Sequence, residues 1–195
     1  MAGDGLNDAG ILRVVFKEVS PGDLRKLRAL SNNAPTGGGA RDFRLPYRRF
    51  DPVMRKLLPR TRKEHRRRNN EKVAVDLHWG PVGIRQNDGR IVEVDLLWES
   101  PTDARPSEGR IPRVHDHLNM PEDGLGAVFF VLMQHEDHVL ASYAYEDDLR
   151  HGRWNRELTH HILTCKDSPE RQPRILAQGY VDCVKPDRYY HGIDK

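Results

Sequence analysis

Hydrophobic and polar positions follow two periods along this chain. From Ile11 to Val19, ILRVVFKEV mixes β-branched and aromatic residues with charges, which predicts a half-buried strand. Ser20 and Pro21 then form a helix-start signal, and Leu24, Leu27 and Leu30 recur at helical spacing; a second strand over this short segment is the alternative. Phe50 to Leu58 sets Phe50, Val53, Met54, Leu57 and Leu58 on one helical face, with Asp51 as N-cap, Pro52 at the first position and Pro59 as the stop. Between these elements, SNNAPTGGGARD from Ser31 to Asp42 combines turn formers with three consecutive glycines and predicts a loop.

Further along, strand composition marks Lys72 to Trp79, Arg90 to Trp98, Ala127 to Met133 and His138 to Tyr145. In the second of these, Ile91, Val92, Val94, Leu96 and Leu97 flank Glu93 and Asp95, so the aliphatics are expected in a core and the acids in solvent. Asn87-Asp88-Gly89 and Glu136-Asp137 read as turns. Glu99 to Gly124 is a long polar stretch with four prolines, a length that usually serves function in a compact domain. The C-terminal part predicts a helix near Arg153 to Thr164 and a strand near Ile175 to Val184, then the aromatic pair Tyr189 and Tyr190. Residues 1–10 read as a loose leader and 11–195 as a single, mainly β domain.

Composition changes this picture at one place. The chain has 195 residues, 32 Lys and Arg against 29 Asp and Glu, and 37% hydrophobic residues, enough for one modest core. The near balance conceals a run from Arg55 to Lys72 in which nine basic residues meet only Glu64 and Glu71. Two cysteines, Cys165 and Cys183, are too few for a disulfide framework and predict reduced thiols in a cytoplasmic protein. The longest apolar run, Ala127 to Met133, is about a third of a membrane span.

Candidate chemistry is narrowed by what the spacing lacks. There is no Gly-x-Ser-x-Gly turn, no activated-cysteine context, and no Gly-Lys-Ser/Thr after Gly37 to Gly39, which disfavours nucleophilic catalysis and a phosphate loop. Asp76, Glu93 and Asp95 on neighbouring strands form an alternative, a metal-dependent nuclease site, although acids alternating with aliphatics are also what a wet strand face looks like. Zinc at His160, His161 and Cys165, or at His115 and His117, lacks a second close pair of ligands, so surface or structural histidines are the expectation and no cofactor is assigned. What remains is arginine: Arg41 and Arg44 on the glycine loop, RTRKEHRRR from Arg60 to Arg68, and Arg105, Arg110 and Arg113 in the proline-bearing stretch. Three separate basic loops suit a polyanion such as duplex DNA, whose guanines accept a forked arginine contact. A protein-interaction module with an acidic partner is the other alternative.

Val15 through FKEVS, TGGGARDFRLP at Thr36 to Pro46, MRKLLP ending at Pro59, SEGRIPR at Ser107 to Arg113, and the strand pair AVFFVL and HVLASYAYEDD occur in an order and spacing that resembles the N-terminal effector-binding domain of EcoRII-type restriction endonucleases. The resemblance spans about Val15 to Asp148, with 149–195 as an extension. It implies a DNA-binding pseudobarrel, an open mixed β barrel with short helices, whose two arms clamp a duplex, read the major groove and control a separate nuclease. Carried over, one arm holds Gly39, Ala40, Arg41, Asp42 and Arg44. The other holds Glu108, Arg110 and Arg113, with Arg105 beside it. The family's histidine after Thr-Gly-Gly is Gly39 here, its arm aromatic is Arg44, and Leu24 to Pro35 lengthens the first connection, so a different target sequence is expected.

The sequence therefore predicts a double-stranded-DNA-binding recognition part of a restriction or defence nuclease, cytoplasmic and nucleoid-associated in a prokaryote. It is expected to be non-enzymatic itself, with cleavage supplied in cis or trans by a nuclease partner. Arg60, Arg62, Lys63, Arg66, Arg67 and Arg68 are expected to touch phosphates, which position without specifying. Asp42 and Glu108 are expected to accept from a cytosine amino group or to orient the arginines.

Overall fold

A computed structural model describes residues 10–31, 42–68, 71–86, 88–102, 105–119, 121, 123–172, 175–185 and 188–192. It is mixed and mainly β, with short helices and open sheets. Two compact units are present, one of Met1–Arg25 with Met120–Lys195, the other of Lys26–Asn119.

In the first unit, β1 (Arg13–Glu18) lies between β9 (Gln178–Asp182) and β7 (Val128–Gln134), so the N-terminal strand is central; β8 (Val139–Tyr145) extends the β7 side and β10 (Arg188–His191) the β9 side. All these pairings are antiparallel. The unbroken apolar run VFFVLM fits its place, because six successive residues of β7 are buried and neither face is wet. Val14, Phe16, Phe129, Val131, Met133 and Leu140 pack with Leu149 of α3 (Glu146–Arg150) and with Leu158, Ile162 and Cys165 of α4 (Arg156–Asp167). Asn155 caps α4 by accepting from the Leu158 N–H at 2.9 Å. Glu18 is buried where β1 ends. It accepts from Lys166 Nζ at 2.6 Å and from the Ala177 N–H at 3.0 Å. Tyr189 and Tyr190, expected as a terminal aromatic pair, belong to β10.

Helix α1 (Pro21–Ser31) forms as the spacing of Leu24, Leu27 and Leu30 predicts, and Ser20 Oγ accepts from the Asp23 N–H at 3.0 Å. In the second unit, β3 (Arg60–Arg68), β4 (Glu71–Arg85) and β5 (Ile91–Trp98) pair antiparallel around β4, and β2 (Phe43–Pro46) pairs antiparallel with β6 (Glu108–Ile111). Helix α2 (Tyr47–Leu57) lays Phe50, Val53, Met54 and Leu57 into the core.

Four expectations need correction. α2 begins a turn earlier than Phe50, so Asp51 is not its cap and Pro52 lies inside it. The reason is tertiary: Asp51 Oδ1 accepts from Trp98 Nε1 at 3.1 Å, while Oδ2 accepts from Arg55 Nε of the same helix at 2.6 Å. Arg60 to Arg68, read as a loop-borne stripe, is a strand at the edge of its sheet, where cations deter edge-to-edge association. Ile91 and Val92 are exposed rather than in a core, because the outer end of the β4–β5 hairpin projects beyond it. The polar stretch from Glu99 to Gly124 contains β6 and a 3-10 turn (Val114–Asp116).

Candidate nucleic-acid interface

The β2–β6 ribbon separates its side chains by face. Phe43, Leu45, Gly109 and Ile111 are buried, while Arg44, Pro46, Glu108 and Arg110 are turned outward and half-buried. Close packing fixes that choice at Gly109, where a Cβ would collide with the Trp98 ring and stand 2.9 Å from Tyr47 Cδ2. Tyr47 and Trp98 stack with ring centroids 6.0 Å apart. The register places Arg44 directly opposite Arg110, an arrangement that like charges disfavour.

Asp42 resolves the conflict. Its Oδ2 accepts from Arg44 Nη2 at 2.7 Å and from Arg110 Nη1 at 3.3 Å, and its Oδ1 accepts from the Arg113 backbone N–H at 3.1 Å. Only 6% of the Asp42 side chain is exposed, so this carboxylate is taken up by the protein. Glu99 holds Arg110 from the other side through Nε at 2.6 Å, and the two residues also exchange backbone hydrogen bonds. Burial works against the Arg110 charge, but the hydrogen bond and charge of Glu99, followed by those of Asp42, outweigh it and raise its pKa.

At the ribbon's end Arg113 adopts a left-handed backbone, with φ of 54°, as the chain enters the 3-10 turn. Its Nε donates to Asp116 Oδ2 at 2.8 Å, and 69% of its side chain is exposed. Arg105 Nη1 donates to Glu108 Oε2 at 3.2 Å, and the same carboxylate lies 3.7 Å from Arg44 Nη1. The structure thus gathers Asp42, Arg44, Arg105, Glu108, Arg110 and Arg113 on and around one ribbon; where the two expected arms are described, they pair with each other. Gly39, Ala40 and Arg41 lie outside the described residues. Glu99 and Asp116 were missed as partners, although a polar stretch with six acids against three arginines signals internal pairing.

On β3, Arg60 lies over the Trp79 ring at 4.8 Å, Arg62 pairs with Glu64 at 2.7 Å, and exposed Lys63 stands opposite Asp76. Arg66, Arg67 and Arg68 continue the strand, but their side chains lie outside the described residues.

The nuclease alternative loses its geometry. Glu93 is opposite Gly83 and Asp95 opposite Pro81, seven and five residues along β4 from Asp76, which is about 23 and 17 Å at strand rise. Among the described residues no group of three His, Cys, Asp or Glu is placed to hold a metal ion. Cys165 is buried, with its Sγ on the Gln178 carbonyl at 3.4 Å, and burial raises its pKa. His115 is buried and His117 exposed. Among the described residues, no helix is long and apolar enough to cross a membrane.

Comparison of the chain with protein-family models, curated proteins and solved structures found no match.

Proposed function

We propose that the protein binds double-stranded DNA and reads base edges with the arginines of the β2–β6 ribbon and its following turn. The observation that carries this reading is how the acids hold those arginines. Among the described residues Asp116 takes only the Nε of Arg113, leaving both Nη groups as an oriented fork; Glu99 and Asp42 take Nε and Nη1 of Arg110, leaving Nη2. A guanidinium fixed at its inner nitrogens has lost orientational freedom in advance, so less entropy is lost when its outer N–H groups meet guanine O6 and N7. The major groove admits a two-stranded ribbon.

In this reading Arg113 reads bases and Arg105 assists at the rim. Arg110 adds its Nη2 to the base contact while Glu99 and Asp42 hold it, and Arg44 holds the ribbon's face. The exposed cations of β3, Arg60, Arg62 and Lys63, supply phosphate contacts that set affinity rather than sequence. The resemblance to the EcoRII-type effector-binding domain supports the same role, a pseudobarrel recognition module in the cytoplasm of a prokaryote that controls a nuclease in cis or trans and does not itself cleave.

Selection of duplexes from a randomised library at about 150 mM salt, where cationic surfaces alone discriminate poorly, tests the proposal. Enrichment of one short guanine-containing motif is expected, and its loss in Arg113→Ala. Recovery of unenriched sequence at this salt overturns base readout and leaves an acidic partner as the occupant of the ribbon.

A further inference from the structure

The C-terminal part carries a side-chain arrangement that DNA binding does not use. His161, in the middle of α4, and His191, at the end of β10, direct Nδ1 and Nε2 at each other across 3.1 Å. Among the described residues neither ring has a carboxylate or carbonyl partner; the two nitrogens meet only each other. Tyr189 lies against both rings, with centroids 5.7 Å from His161 and 5.1 Å from His191.

That separation matches a chelate. Two imidazole nitrogens about 2.0–2.1 Å from one ion are roughly 3.3 Å apart in a tetrahedron and roughly 2.9 Å apart at a right angle, values that bracket the observed one. Burial, then the neighbouring histidines, lowers the pKa of both rings, against an opposing effect of Glu157 on His161. A small cavity lies against His161, and its walls include Glu157 and Cys183. Among the described residues no third protein ligand stands in reach as the side chains lie.

We propose that His161 and His191 form a two-imidazole site for a borderline divalent transition ion, with zinc or copper(II) the matching class. The ion takes the place of the proton between the two rings, which passes through solvent to the far nitrogen of the ring that held it, and ties β10 to α4. Because hard cations prefer oxygen, magnesium has no affinity for the pair.

The test is thermal melting of tag-free protein with zinc chloride at millimolar concentration, against magnesium chloride and against zinc followed by EDTA. Zinc is expected to raise Tm by about 5 °C, reversibly, in the native protein and in His160→Gln. The rise is expected to vanish in His161→Gln and in His191→Gln. Long-range nitrogen–proton NMR of the native protein gives a second readout that no variant's folding can compromise, and the ring nitrogens of these two residues should shift on adding zinc. An unchanged Tm with unmoved ring resonances reduces the pair to a hydrogen bond and overturns the proposal. An equal rise in native protein and both variants places the ion elsewhere and overturns it as well.

Discussion

Arg44 and Arg110 stand directly opposite each other on the outward face of the β2–β6 ribbon, and one oxygen of the nearly buried Asp42 accepts a hydrogen bond from each. The carboxylate therefore offsets the charge of the two facing arginines. Removing it leaves two facing guanidiniums and an unpaired Arg113 N–H. Asp42→Ala is expected to lower unfolding stability by about 3 kcal/mol in denaturant melts. Added salt should recover part of the loss by screening the two cations, and a second substitution, Arg44→Ala, should recover more. Full stability in Asp42→Ala would remove Asp42 from this role.

Arg113 and Arg110 are expected to separate binding from folding. Arg113→Ala deletes an exposed side chain held, among the described residues, only through Nε, so Tm should hold while affinity for a selected duplex falls by about 1 to 3 kcal/mol, with little change on random DNA. Arg110→Ala takes the Nε donor from the buried Glu99 and should lower Tm first. Fluorescence anisotropy on both duplexes, read beside thermal melts, checks the contrast.

Gly109 makes packing visible as a single methyl. Gly109→Ala forces a Cβ into Trp98 and against Tyr47, neither of which is a flexible chain end. The expected outcome is a loss of about 2 to 3 kcal/mol with altered Trp fluorescence. Unchanged melting and emission would mean that the ribbon does not lie on Trp98.

His78 is expected to govern acid stability. It is 6% exposed, and among the described residues neither ring nitrogen has a hydrogen-bond partner. Burial and then the Arg55 charge lower its pKa, against smaller opposing effects of Asp51 and Asp76. The folded pKa lies below the unfolded one, so the unfolded state takes up the proton first. Stability is full above about pH 6.5 and falls as pH drops below it toward the folded value. Melts from pH 8 to pH 5 should show a shallower acid decline in His78→Leu, with pH 8 stability kept or improved. An identical decline in both proteins would exclude His78 as the source.

Glu18 is the counterpart in the other unit. Glu18→Ala leaves Lys166 and the Ala177 N–H without their acceptor, which should cost about 3 kcal/mol. Glu18→Gln should restore part of it through the amide oxygen. Equal Tm values for Ala and native proteins would show that the contact contributes nothing.

Local rules in the sequence determine much of this molecule. Ser20-Pro21 starts α1, the apolar run from Ala127 fixes a strand buried on both faces, and His138 to Tyr145 supplies its neighbour. These elements are legible because a cap, a period or an unbroken run needs only nearby residues. Arg60 to Arg68 was not legible as a strand, since nine polar residues carry no period; pairing with β4, a long-range partner, makes it one. For the same reason Asp51 reads as a cap and serves instead as the acceptor for Trp98, 47 residues away. At the candidate interface, composition picks out the arginines, but which of them face each other, and which acid holds which nitrogen, follows from the β2–β6 register. That register brings together residues separated by most of the second unit, and only tertiary packing against Trp98 and Tyr47 decides it.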